Sequence, residues 1–191
     1  LNIYSFDNEI TNNQADELIL NIDNSFFYQH YKSIETNGLI IKSNNSKGVM
    51  IKGYDEYDKN HYLFNSINMG ALIQNPKSEI LIGDSLANEM NLNVGDKVKI
   101  AIPKTDKTIL GNIPRFKTLE VVGVFDLGLY EYDSNLIFLS SELVRKLLLY
   151  DEDIYNKIEF FTLSPNEIEL FKNKVELAIS NLLLNFYSIS W

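Results

Sequence analysis

The sequence predicts an α+β fold in two lobes, and three observations point there. The chain opens and closes with strand–helix–strand grammar, and a β-rich stretch with small helices lies between the two. Of its 191 residues, 45% are hydrophobic and 12% aromatic, which suffices for one or two compact cores. The first lobe is expected from residues 1–74 together with 151–191, so that both chain ends complete it. The second is expected from residues 75–150, inserted within the first.

Asn2 to Phe6 reads as a short strand. Asp7 or Asn8 offers a helix N-cap, and Ile10, Leu18 and Ile22 give the apolar face of a helix through Asn24. Phe26 to Glu35 alternates as a strand, and Gly38 to Lys42 and Lys47 to Tyr54 form two more. The cluster Asn44 to Gly48 supplies the turn between them. From about Tyr57 to Gln74 the chain is polar and reads as irregular.

Glu79 to Ile82 is an apolar strand, followed by a helix Leu86 to Met90 with Asp84 or Ser85 as cap. Leu92 to Asp96 is a turn in which Val94 is the expected apolar anchor. Val98 to Ile102 and Leu119 to Phe125 are strands, as is Leu136 to Leu139. Ser140 caps a helix through about Leu149, with Glu142 in its first turn. Lys157 to Leu163 is a strand, and Ser164, Pro165 and Glu167 spell a capping box with proline at the first helical position. Ile168, Phe171, Val175, Ala178, Ile179 and Leu182 recur at helical spacing, and Asn185 to Ser190 closes the chain as a strand.

The net charge of −9 argues against a nucleic-acid partner, which needs a basic face. With no cysteine, neither a disulfide framework nor a thiolate metal site is possible, and the chain fits periplasm or cytosol equally. No run is long and apolar enough to span a bilayer, and no signal peptide is visible. The chain starts at Leu1 without an initiator Met and stops just after a strand-like run, so a segment of a longer protein is expected.

Few residues invite chemistry. His30 and His61 lack metal-ligand spacing, and structural or solvated roles are expected. The acidic runs Asp55-Glu56 and Asp151-Glu152-Asp153 lack the glycine and terminal Glu of a calcium loop and read as solvated. Tyr130-Glu131-Tyr132-Asp133 has no histidine or nucleophile nearby and reads as structural rather than catalytic. Gly83-Asp84-Ser85 lacks the second glycine of a nucleophile elbow, and no phosphate-binding G-x-x-x-x-G-K occurs. No enzyme activity, cofactor or metal is expected.

The stretch Pro103 to Pro114 stands apart. It is longer than a hairpin turn requires, has a proline at each foot, and spends Ile109 and Leu110 near its far end. A long loop carrying apolar residues is usually functional.

The runs Ile80 to Ile100, Gly111 to Phe125 and Leu129 to Ser140 resemble the permease subunits of the lipoprotein-releasing ABC transporter, the LolC/LolE family. These share a periplasmic domain type with MacB-like permeases. The resemblance implies a two-lobed periplasmic domain of an inner-membrane protein in a Gram-negative bacterium. It implies a second permease subunit, a separate cytoplasmic ATPase subunit and a lipoprotein substrate. It further implies that a protruding hairpin, the hook, recruits the periplasmic lipoprotein carrier LolA. The hook corresponds to residues 103–114, with Pro103, Ile109, Leu110, Gly111, Ile113 and Pro114 as contact or shaping residues. A basic pad at its base corresponds to Lys99, Arg115 and Lys117, although Phe116 stands among them where a polar residue is expected. A MacB-like domain serving efflux or peptide export is the alternative, as is a LolE-like subunit that handles the lipoprotein.

Overall fold

The computed structural model describes residues 1–108, 111–162 and 164–190, and for 103–108 and 111–114 it describes the backbone course alone. In chain order the first elements are β1 (Asn2–Ser5), β2 (Ile10–Thr11), α1 (Asn12–Leu20), β3 (Phe27–Lys42), β4 (Asn45–Tyr54) and β5 (Ile67–Gly70). Next come β6 (Glu79–Gly83), α2 (Asp84–Met90), β7 (Lys97–Thr108), β8 (Gly111–Phe125), α3 (Tyr130–Asn135) and β9 (Leu136–Ser140). The chain finishes with α4 (Ser141–Leu148), β10 (Ile154–Tyr155), β11 (Lys157–Thr162), α5 (Ile168–Asn181) and β12 (Phe186–Ile189).

The chain divides into two units. Leu1–Ile34 with Asp151–Trp191 form one, and Glu35–Tyr150 the other. Residues 35–74, assigned to the first lobe from sequence, fall in the second unit. The reason is β3, a strand of 16 residues whose first half pairs β11 and whose second half pairs β7. The break expected between Glu35 and Gly38 does not occur, and Gly38 lies inside the continuous strand. It is needed there, because a Cβ would lie 2.6 Å from Ile51 Cδ1 and 2.7 Å from the Ala101 carbonyl.

In the first unit the strands lie in the order β12–β1–β11–β3, and the register pairs Ile3 with Ile158 and Ser5 with Phe186. Helices α1 and α5 supply Ala15, Leu18, Phe171, Val175, Ala178 and Ile179 to the same core as Ile3, Ile158, Phe160 and Phe186. The α5 stripe is therefore core, as its spacing predicts, with Ile168 and Leu182 packed at the margin. Two caps differ from expectation. Thr11, not Asp7 or Asn8, caps α1: its Oγ accepts the Gln14 N–H at 3.3 Å, and Gln14 Oε1 accepts the Thr11 N–H at 2.9 Å. Ile10 is buried in the short β2–β10 ladder, so the helix cannot begin before it. Ser164 makes no side-chain cap bond, because the chain enters α5 through a 3-10 turn at Pro165–Glu167.

In the second unit the pairings close a ring. From β3 the neighbours run β4, β9, β6 and β8, and β7 pairs both β8 and β3. Closure of this kind removes sheet edges, leaving β5 as a short extra strand beside β8. The core includes Ile51, Ile80, Ile82, Ile100, Val121, Val124, Phe125, Ile137 and Phe138. Four local details differ from the sequence reading. The β3–β4 turn is at Ser43 and Asn44, with Ser43 at a φ of 55°. Gly83 rather than Asp84 or Ser85 stands at the N-cap of α2, with Asp84 in the first turn. Leu92, 4% exposed, is the anchor of the following turn, whereas Val94 is 44% exposed. The polar stretch before Gln74 holds a 3-10 turn (Tyr62–Ser66) and β5. Ser140 caps α4 as predicted, its Oγ accepting the Leu143 N–H at 3.2 Å.

Candidate functional site

The β7–β8 ribbon is two adjacent staves of the closed ring that run on past its wall. Among the described residues β7 pairs β3 at Lys99, Ile100 and Ala101, and β8 pairs β6 from Glu120 onward. Toward the turn, the described ladder joins β7 and β8 to each other alone. It continues through Thr105–Pro114, Asp106–Ile113 and Lys107–Asn112 to Thr108–Gly111. The stretch read as a loop is therefore a paired ribbon almost to its end, and Ile109 and Leu110 lie outside the described residues.

Proline placement explains how a strand tolerates these residues. The register shifts between Ile102–Arg115 and Thr105–Pro114, so Pro103 falls where two residues of β7 have no counterpart on β8. A bulge needs no N–H from its extra residues, which is where a proline can sit in a sheet. Pro114 stands opposite Thr105, beside the same irregularity, and Gly111 and Ile113 belong to the ladder of β8.

The register also decides which pad residues can act together. Paired residues share a face, so Lys99, Thr118, Ala101 and Phe116 lie on one side of the ribbon. Ile102, Arg115, Ile100 and Lys117 lie on the other. Lys99 and the Arg115–Lys117 pair are thus divided between opposite faces. The Lys99 ammonium sits 5.5 Å from the centre of the Phe116 ring, which is 50% exposed. Phe116, which breaks the polar pattern in sequence, serves as a platform for Lys99. Arg115 Nη1 donates to the Lys146 carbonyl at 3.1 Å, near the C-terminus of α4, where the helix dipole favours a cation. Arg115 buttresses the ribbon's base, while Lys99 and Lys117 are exposed.

Sequence inspection by single residues missed a charge concentration that the ribbon makes visible. Between Lys97 and Lys117 stand six basic residues (Lys97, Lys99, Lys104, Lys107, Arg115 and Lys117) against the single acid Asp106. The chain as a whole carries −9. The ribbon is therefore a cationic element on an anionic protein, suited to steering an acidic surface toward it.

Elsewhere the candidate chemistry residues are structural. Asp133 Oδ1 and Oδ2 accept the N–H groups of Leu127 at 2.8 Å and Leu129 at 3.1 Å. Tyr130 donates its hydroxyl to Glu89 Oε1 at 2.8 Å. Glu89, which also accepts from Lys47, has its carboxyl held below the usual range chiefly by that lysine. His61 is buried within an aromatic cluster. Among the described residues no group of three His, Asp or Glu side chains is placed to hold a metal. No helix of the described residues is long and apolar enough to cross a membrane.

No family model matches the chain. Curated relatives do. The lipoprotein-releasing system transmembrane protein LolC of Xylella fastidiosa (strain 9a5c) is 28% identical over 116 residues, covering 59% of this chain and 28% of that protein. LolC of Neisseria meningitidis serogroup B (strain MC58) is 33% identical over 76 residues, covering 40% of this chain and 18% of its own length. The chain thus spans less than a third of either relative. Among solved structures, the extracellular domain of the noncanonic ABC-type transporter YknZ from Gram-positive bacteria superposes with a TM-score of 0.61 at 12% identity, covering 100% of this chain and 99% of that one. The periplasmic region of MacB from Actinobacillus actinomycetemcomitans superposes with a TM-score of 0.59 at 15% identity, covering 97% of this chain and 86% of the other. The fold is that of MacB-type extracytoplasmic permease domains. The sequence relatives are transmembrane proteins of a lipoprotein-releasing system.

Proposed function

We propose that this chain is the periplasmic domain of a LolC-like permease and that its β7–β8 ribbon is the hook that recruits a LolA-type lipoprotein carrier. The observation that carries the reading is the ribbon itself: two staves of a closed ring extended beyond it, rich in lysine, and braced at the base where Arg115 donates to the Lys146 carbonyl of α4. A stiff ribbon loses little conformational entropy on docking, and its proline-marked bulge fixes where it bends away from the ring. Ile109, Leu110 and Ile113 supply apolar contact for a carrier whose cavity accepts acyl chains, and Lys99 and Lys117 steer from opposite faces.

In the full transporter, a cytoplasmic ATPase subunit and a second permease subunit drive the lipoprotein from the inner membrane onto the docked carrier. Residues 2 and 189 pair in adjacent strands of the first unit, so displacement applied at either would reach the same sheet. A MacB-like role in efflux or export is the second reading, favoured by the fold likeness to MacB and YknZ. Titrating a purified LolA-type carrier against the chain and against Leu110→Asp separates the two. The hook reading expects binding by the parent chain, weakened at least tenfold by the substitution with the circular dichroism spectrum intact. No measurable carrier binding by the parent chain supports the second reading.

A further inference from the structure

His61 is a buried imidazole of the second unit, and the proposed hook makes no use of it. It is 3% exposed and precedes the 3-10 turn Tyr62–Ser66. Its Nδ1 accepts the N–H of Leu63 at 3.3 Å, capping that turn. The His61 backbone N–H donates to Asp58 Oδ1 at 3.0 Å. Tyrosines surround the imidazole: Tyr54 edge-on at 4.7 Å, Tyr62 stacked at 4.7 Å and Tyr57 tilted at 5.0 Å.

The charged and titratable groups around this box come from each neighbouring element. From β4, the Lys52 ammonium sits 5.5 Å from the Tyr54 ring centre and pairs with Glu35 of β3 at 3.3 Å. The Tyr54 and Tyr62 hydroxyls are 3.2 Å apart, and the Tyr57 hydroxyl donates to the Leu139 carbonyl of β9 at 2.6 Å. Asp58 is bound to backbone N–H groups of Asn60 and His61, and Asp55 is turned toward Arg145 of α4 at 3.1 Å.

We infer that His61 is a proton-operated latch on the segment from Asp58 to Gly70. An acceptor Nδ1 requires the neutral ring with its proton on Nε2. Adding a proton at Nδ1 turns the acceptor into a donor that faces another donor, the Leu63 N–H. The added charge meets a Lys52 ammonium already paired with Glu35 on one side and the Asp58 carboxylate on the other, so the lost cap, not charge repulsion, drives the release. Proton binding and capping therefore exclude each other, and acid favours the released segment. That segment ends in β5, whose Ile67, Met69 and Gly70 pair with Phe125, Val124 and Gly123 of β8. Its Phe64 and Ile67 form, with Tyr57 and Leu72, part of the wall of a cleft of about 440 Å³. Release loosens the strand that flanks the hook's own β8, so acidity would tune the hook's mounting. The latch rests on the His61 geometry alone and stands whether or not a carrier docks on the hook.

The test is amide hydrogen exchange on the full 191-residue chain from about pH 7.5 to about pH 5, with rates corrected for intrinsic exchange. Protection of the Leu63 to Ile67 amides is expected to fall roughly tenfold on acidification. His61→Asn, whose side-chain oxygen can accept the same N–H but cannot titrate, is expected to abolish that fall, while His30→Asn leaves it in place. Protection unchanged with pH, or an equal fall in His61→Asn, overturns the inference. Should His61→Asn not fold, nitrogen-15 spectra of the parent imidazole decide. A bare Nδ1 at neutral pH that gains its proton in step with the Leu63 amide shift supports the latch, and a proton already on Nδ1 overturns it.

Discussion

Asp133→Ala probes how the chain is turned as it leaves the hook strand. After β8 ends at Phe125, the loop 126–129 must reverse into α3, and the Asp133 carboxylate ties it down. It is 3% exposed and accepts the N–H of Leu127 at 2.8 Å and of Leu129 at 3.1 Å. A hydrogen bond to a charged group is worth about 1.5–3 kcal/mol, and water recovers part of that once the carboxylate is gone. The two together put the loss at about 2–4 kcal/mol. For a chain of this size each kcal/mol moves the midpoint by about 2–4 °C, so the melting temperature should fall by roughly 6–12 °C for a 3 kcal/mol loss. Asp133→Asn keeps one acceptor and should lose about half as much. Differential scanning calorimetry of the three proteins measures this. A loss under about 1 kcal/mol for Asp133→Ala would show that the loop holds itself and that the carboxylate merely accompanies it.

Four further outcomes follow from the second unit. Phe138→Ala removes a fully buried ring 5.0 Å from Phe125 and 6.1 Å from Tyr54, and should cost about 3–5 kcal/mol in urea unfolding. Gly70→Ala should be severely destabilising in a thermal-shift assay, because Gly70 has a φ of 81° and a Cβ there would lie 2.1 Å from the Val122 carbonyl oxygen. Gly48→Ala, with nothing within 4 Å of the added Cβ, should stay within about 0.5 kcal/mol of the parent. The Asp96 carboxyl is held below its usual range first by the Lys42 side chain and then by the Asn93 N–H. A carboxyl with a lower pKa folded than unfolded stabilises the fold above its unfolded pKa, and the benefit disappears as pH falls through the folded one. Urea midpoints measured from neutrality down to about pH 2 should therefore drop less steeply in Lys42→Met than in the parent chain.

Much of the architecture was legible because its signals are local. The strands at Asn2, Glu79 and Leu136, the Ser140 cap and the α5 stripe each depend on residues within a turn or two of one another. What escaped depends on partners distant in sequence. Thr36 and Asn37 read as a break between two strands until β11 and β7 are seen to pair one continuous strand on either side of them. Ile10 and Thr11 look helical until Ile154 and Tyr155 pair with them. The ribbon reads as a loop because two prolines mask strands whose only evidence is each other. The same blindness hid the division of the pad, since face assignment needs a register, and a bulge makes counting along the chain unreliable. The segment around His61 carries no alternation, so its 3-10 turn and short strand left no periodic trace.

A photoreactive residue at position 110, irradiated with a purified LolA-type carrier, tests the central claim most directly. The account predicts a crosslinked adduct there, lost when unlabelled carrier competes, and none from the same residue at position 48 on β4. An adduct equally strong at position 48, or none at 110 under saturating carrier, would contradict it.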